Sequence, residues 1–144
     1  MHAPLVESYR TDGAQYAIMT IGSMTGAAKD AVDAARVRGE KVGLVKVKTY
    51  RPFPVQAIAA ALAPVKAVGV VDRSVSFGWN CGPLFQDTVG ALHCAPRRIP
   101  AMSFIGGLAG ADLTIGHFDQ VIRRSAELAR GAAPGETVWL NEKD

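Results

Sequence analysis

Cysteine is scarce in this sequence, whose 144 residues contain only Cys81 and Cys94. Two cysteines do not form the disulfide framework of a small secreted domain, and no CxxC pair is present. We therefore expect two free thiols in a reducing cytosol. His93 precedes Cys94 directly, but these groups lack the clustering and spacing of a zinc site, so no metal site is predicted.

Strong charge of one sign and long apolar runs are also absent. The net charge is only +3, and the Lys and Arg residues are scattered, which argues against a nucleic-acid partner. No apolar run approaches the ~20 residues that cross a bilayer, and the first residues lack a signal-peptide pattern. The sequence therefore predicts a cytoplasmic protein with no membrane partner.

The composition, 49% hydrophobic and 20% charged, is typical of one folded domain, here over residues 1–144. Short apolar runs alternate with segments of helical period, after a lead-in over residues 1–14. The predicted strands span 16–22, 42–50, 67–72, 99–107 and 137–141, and the predicted helices span 27–39, 55–63, 82–93 and 116–131. This alternation predicts a three-layer α/β fold, with a mostly parallel twisted sheet of about five strands and helices on both faces.

Polar and glycine-rich stretches follow each of the first four predicted strands. They are residues 22–26, 48–54, 72–83 and 106–112. In parallel sheets, ligands and contacts gather beyond the carboxyl ends of the strands, so we expect these stretches to meet at one edge. Their shared position is the main indication of a functional surface.

Two of these stretches have the glycine content of a phosphate loop. Gly22-Ser23-Met24-Thr25-Gly26 departs from both GxGxxG and GK[ST], and its hydroxyls equally suit a helix cap. The run that begins at Gly106-Gly107 suits a crowded turn, with Asp112 or Thr114 near the next helix start. The weak candidates for cofactor binding are Gly22, Ser23, Thr25, Lys48, Arg51, Gly106 and Gly107.

The stretch Asp72-Arg73-Ser74-Val75-Ser76 offers a carboxylate, a cation and two hydroxyls. A nucleophilic serine needs a base within reach, but no histidine has a motif relation to these serines and GxSxG is absent. No catalytic residue is therefore assigned. A self-satisfied polar corner and a contact surface for a partner both remain open.

Three motifs together resemble a known family: KVKTYRPFP, VVDRSVSFG followed by GPL, and FIGGLAGADLT. The chain resembles the 2-oxoacid:ferredoxin oxidoreductases over about residues 4–141. The resemblance is greatest to the C-terminal, transketolase-like domain (domain II) of the α part of pyruvate:ferredoxin oxidoreductase, or pyruvate synthase. It adds weight, as interface or motif positions, to Arg51, Asp72, Arg73, Ser74, Ser76, Gly78, Gly82, Gly106 and Gly107.

The resemblance implies a parent enzyme that oxidatively decarboxylates a 2-oxoacid. Pyruvate is the favoured substrate, and 2-oxoglutarate and branched 2-oxoacids stay open. Such an enzyme uses thiamine diphosphate, magnesium and iron–sulfur clusters, forms acyl-coenzyme A and reduces ferredoxin. The chain carries no GDG motif, and two cysteines cannot hold a four-cysteine cluster. We therefore expect it to bind none of these cofactors alone, and to be an assembly domain docked on other domains or subunits.

Two other functions stay open from the sequence. A phosphate- or coenzyme A-binding module would use the glycine loops with Lys46, Lys48 and Arg51. A free-standing serine hydrolase would use Ser74 or Ser76.

Overall fold

The computed structural model describes residues 6–21, 25–48, 53–76, 80–93, 95–107 and 112–141. Strands and helices alternate in it as the apolar period predicts. The strands are β1 Val6–Tyr9, β2 Tyr16–Ile21, β3 Val42–Val47, β4 Val68–Asp72, β5 Ala101–Ile105 and β6 Val138–Trp139. The helices are α1 Thr25–Val37, α2 Val55–Leu62, α3 Pro83–His93 and α4 Ile115–Ala129.

The strands form one six-stranded sheet in the order β1-β3-β2-β4-β5-β6. Among the described strands, β2 to β6 pair in parallel with one another, and β1 pairs antiparallel with β3. The predicted α/β class and mostly parallel sheet are confirmed. Six strands replace the expected five because the N-terminal segment supplies one more.

The interpretation of residues 1–14 as a lead-in was wrong, because Val6–Tyr9 forms β1. Long-range contacts hold this strand. Glu7 lies 3.2 Å from both Lys29 and Lys48, and the Tyr9 hydroxyl donates to Asp33 at 2.7 Å. The hydrogen bonds and charges of the two lysines lower the pKa of Glu7, the bond from Lys48 contributing most.

Each face of the sheet carries its own apolar core. Helices α1 and α4 cover one face, around Phe104, Phe118 and Ile122. Helices α2 and α3 cover the other face, around Met19 and Ile58. Side chains of successive strand residues enter opposite cores because strands alternate with a period of two.

Most predicted boundaries hold to within one or two residues. The chief exception is the strand predicted over 42–50, which ends at Val47. Across the part of the chain that the structure describes, no helix has the length and hydropathy needed to cross a membrane.

Candidate functional site

The carboxyl ends of β2, β3, β4 and β5 lie at one edge of the sheet, because these strands run parallel. The ends of these four strands are therefore neighbours, which agrees with the parallel sheet that the sequence predicts. Gly22, Ser23, Arg51 and Gly78 lie outside the described residues, as does the side chain of Thr25. The chemistry of the edge is therefore read from the segments that follow β4 and β5.

The last residue of β4, Asp72, holds the first turn of α3. Its side chain is buried, with 2% of its surface exposed. One carboxylate oxygen accepts from the backbone N–H of Leu84 at 2.7 Å, and the other accepts from that of Phe85 at 3.1 Å. Asp72 thus fills the helix N-terminus from inside the chain, where an external anion would otherwise bind.

Gly82 makes this arrangement possible. A Cβ atom at this position would overlap the carboxyl group of Asp72, so only glycine admits the close approach. Pro83 follows as the first residue of α3, where the missing N–H costs nothing. The Gly82-Pro83 pair is therefore explained by packing against Asp72.

Burial raises the pKa of Asp72 to about 6, and the negative charge of Asp87 acts in the same direction. The two backbone N–H groups oppose this shift, since they stabilise the ionised form. The side chain of Asp72 therefore has a structural role, because both of its oxygens accept from backbone N–H groups of α3.

The loop between β4 and α3, residues 73–82, is closed on itself at its described ends. The Ser76 N–H donates to the Cys81 carbonyl at 2.9 Å, and the Ser76 hydroxyl donates to the Gln86 side chain at 2.6 Å. An amide oxygen is not a general base, so this contact does not activate Ser76 as a nucleophile. Arg73 and Ser74 lie exposed on the loop.

Cys81 is a free thiol on the same loop. Burial raises its pKa, and the charge of Asp72 adds to the effect. The thiol is therefore kept protonated and poorly nucleophilic. Cys94 lies outside the described residues.

Gly106 and Gly107 follow β5, and the backbone N–H groups of both donate hydrogen bonds within the chain. The Gly106 N–H donates to the Asp72 carbonyl at 3.0 Å, and the Gly107 N–H donates to the Asn141 side chain at 2.7 Å. A Cβ at Gly106 would press on Leu113. These glycines serve a crowded turn, and their N–H groups are not free to cradle a phosphate.

Asn141 is the residue that sequence reasoning missed. Its side-chain oxygen accepts from Gly107, and its side-chain nitrogen donates to the Asp112 carbonyl at 3.1 Å. It therefore ties together both described ends of the glycine loop. No sequence signal marks it, because it lies 34 residues from Gly107 along the chain.

Thr114 is the N-cap residue directly before α4, and it is one of the two residues, with Asp112, that the sequence places near this helix start. Its hydroxyl accepts from the His117 N–H at 3.3 Å, and His117 Nδ1 accepts from the Thr114 N–H at 3.0 Å. This reciprocal capping box uses histidine in the place that Glu or Gln usually takes.

The parts of the edge that the structure describes do not suit a diphosphate. The start of α3 is filled by Asp72, and both glycine donors after β5 are used. Lys48 is exposed but pairs with Glu7. Within the same described residues, no group of three His, Cys, Asp or Glu side chains is placed to hold a metal ion.

Comparisons with known proteins identify the class of this α/β domain. The family model for the pyruvate:ferredoxin oxidoreductase core domain II matches residues 14–118. The chain belongs to this family, as its motifs predict.

Two curated relatives cover nearly all of the chain. It is 63% identical to the NADH-dependent phenylglyoxylate dehydrogenase subunit alpha of Aromatoleum evansii, over 99% of this chain and 34% of that protein. It is 34% identical to the pyruvate synthase subunit PorA of Methanosarcina barkeri, over 99% of this chain and 36% of that protein. The chain thus spans about a third of the length of these relatives.

Two solved structures share the fold. The 2-oxoglutarate:ferredoxin oxidoreductase of Magnetococcus marinus, solved with 2-oxoglutarate, coenzyme A and succinyl-CoA bound, has a TM-score of 0.61 and 22% identity, over 88% of this chain and 20% of that one. A split-gene transketolase has a TM-score of 0.65 and 17% identity, over 82% of this chain and 40% of that one. The expected transketolase-like fold is confirmed.

Proposed function

We propose that this chain is the non-catalytic core domain II of the alpha subunit of a 2-oxoacid oxidoreductase. The parent enzyme uses thiamine diphosphate, magnesium and iron–sulfur clusters, and it converts a 2-oxoacid to an acyl-coenzyme A. Other domains and subunits supply those cofactors and pass electrons to ferredoxin or a nicotinamide. The chain contributes a rigid sheet edge against which its neighbours dock.

One observation carries this assignment of role. Asp72 fills the N-terminus of α3, while Gly106 and Gly107 donate to the Asp72 carbonyl and to Asn141. These backbone donors are satisfied within the chain, so the part of the edge after β4 and β5 is built to hold its shape. Arg73 and Ser74 are exposed at this edge, where another domain would contact them.

The substrate that the relatives favour is an aryl 2-oxoacid. Identity is 63% with the phenylglyoxylate dehydrogenase subunit, against 34% with the PorA subunit of pyruvate synthase. Both figures cover 99% of the chain, so they compare the same residues. We accordingly propose phenylglyoxylate or a close analogue as substrate, in place of the pyruvate that the motifs alone suggest.

The coenzyme A-binding alternative has less support. The N–H groups of Gly106 and Gly107, which would hold the ligand, donate within the chain instead, and Lys48 is paired with Glu7. The hydrolase alternative has less still, since the Ser76 hydroxyl donates to an amide. Neither alternative accounts for membership of the core domain II family.

The test is an activity assay on the enzyme purified without oxygen through a tag on the subunit that carries this chain. We expect coenzyme A-dependent oxidation of phenylglyoxylate at a far higher kcat/KM than that of pyruvate. Equal or better use of pyruvate would overturn the substrate, and no 2-oxoacid oxidation at all would overturn the parent reaction. Omitting coenzyme A is the matched control.

A further inference from the structure

The sheet has one described region whose covering layer is incomplete. Helix α4, which joins β5 to β6, lies on the face that it shares with α1. The opposite face has α2 and α3, and α3 packs against β4 and β5. Beyond α3, the β5–β6 edge of that face therefore has no helix among the described residues. Parallel sheets are normally covered on both faces.

A groove of about 580 Å³ occupies this position, between α3, β5 and the segment that leads into β6. We call it the α3 groove. A second hollow of about 490 Å³ shares Val89, Ala101 and Pro134 with it, so the two are continuous along α3. The residues that line the α3 groove include Phe85, Val89, Ala101, Ser103, Pro134 and Thr137.

Two side chains that line the α3 groove would gain contacts from an occupant. Val89 leaves 42% of its surface exposed on α3, although it follows Phe85 by one helical turn. Ser103 is 5% exposed, and its hydroxyl has no hydrogen-bond partner among the residues that the structure describes. A buried polar group without a partner carries a free-energy cost, so an occupant that hydrogen-bonds to Ser103 would stabilise the site.

We propose that the α3 groove receives a segment of the parent alpha subunit that lies outside this chain. The inference rests on the proposed function, and the size of the relatives supports it, because this chain spans only 34% of the phenylglyoxylate dehydrogenase subunit. The segment places apolar side chains against Phe85 and Val89 and a hydrogen-bonding group against Ser103. This chemistry is that of an interdomain contact, apolar at its centre with few polar anchors.

The experiment places a photo-cross-linking amino acid in the complete enzyme. Val89→p-benzoylphenylalanine probes the α3 groove, and Val37→p-benzoylphenylalanine is the matched control, because Val37 is 89% exposed at the end of α1. We expect position 89 to cross-link to one segment of the same subunit outside this chain, and position 37 to give no such product. Val89→Lys should lower the unfolding temperature of the complete subunit, and Val37→Lys should not.

Each outcome separates this inference from the proposed function. An assembled, active enzyme in which position 89 gives no cross-link overturns the inference and leaves the proposed function standing. Cross-links to a second copy of this chain or to a different subunit also overturn it, because they identify another occupant. A subunit that purifies alone, without 2-oxoacid oxidation, overturns the proposed function itself.

Discussion

Gly82 lies directly against the carboxyl group of Asp72, so that the end of β4 and the start of α3 share one packed contact. The carboxylate reaches the N–H groups of α3 only because Gly82 has no side chain. The motif residues Asp72 and Gly82 thus act as a pair within the chain. The contact fixes where the β4–α3 loop emerges at the sheet edge.

Gly82→Ala is expected to destabilise the fold by about 2–4 kcal/mol, because the new methyl group must displace Asp72 from the start of α3. Denaturant unfolding measures the change. Gly90→Ala is the matched control, since it lies within α3 with open space around its Cα, and it should stabilise by up to about 1 kcal/mol. Equal effects of the two substitutions would contradict the close packing of Gly82.

Asp72→Asn should change how stability depends on pH. Because burial raises the pKa of Asp72 from 3.8 to about 6, the folded state binds the proton more tightly than the unfolded state. Its contribution is fully present below pH 3.8 and is lost as pH rises through about 6, on the order of 3 kcal/mol. Unfolding free energies measured from pH 3 to 8 should fall across this window in the native chain relative to Asp72→Asn. Parallel curves for the two proteins would refute the shift.

Asn141→Ala should loosen the glycine loop, because Gly107 loses its acceptor and Asp112 loses its donor. We expect a loss of about 1–3 kcal/mol in stability and faster hydrogen exchange at the Gly107 amide. Asn141→Asp is the informative companion, since it keeps the acceptor for Gly107 and removes only the donor. Its Gly107 amide should remain protected, and unchanged exchange in the alanine variant would show that the contact does not matter.

Much of the fold follows from local sequence, but strand β1 does not. Apolar runs such as Tyr16–Ile21 and Val68–Asp72 are visible without tertiary information, because both faces of a parallel strand are buried. Strand β1 is only four residues long, and its pairing with β3 and the Glu7 ion pairs supply its stability.

The candidate site shows the same division. The motif Asp72 to Gly82 points to a structured corner, and the interpretation of Asp72 as part of a self-satisfied polar corner agrees with its bonds to α3. The role of Asn141 could not be predicted from the sequence, because its hydrogen-bond partners are distant along the chain. The roles of Arg51 and Gly78 stay predictions, since they lie outside the described residues.

Arg73→Ala tests the docking role of the β4–α3 loop. Arg73 is exposed on this loop at the sheet edge, so its loss should weaken assembly of the parent enzyme and leave turnover by the assembled fraction intact. Arg123→Ala, on the outer surface of α4 with 67% of its side chain exposed, should change neither. Normal assembly of Arg73→Ala with turnover abolished would assign Arg73 to the chemistry instead.

Native mass spectrometry of the complex tests the central claim most directly. The subunit that carries this chain would be tagged and purified without oxygen from its source. If this chain is an assembly domain, the tagged subunit should co-purify with larger polypeptides that hold thiamine diphosphate and iron–sulfur clusters. A tagged subunit found alone, with neither cofactor nor partner, would contradict the account.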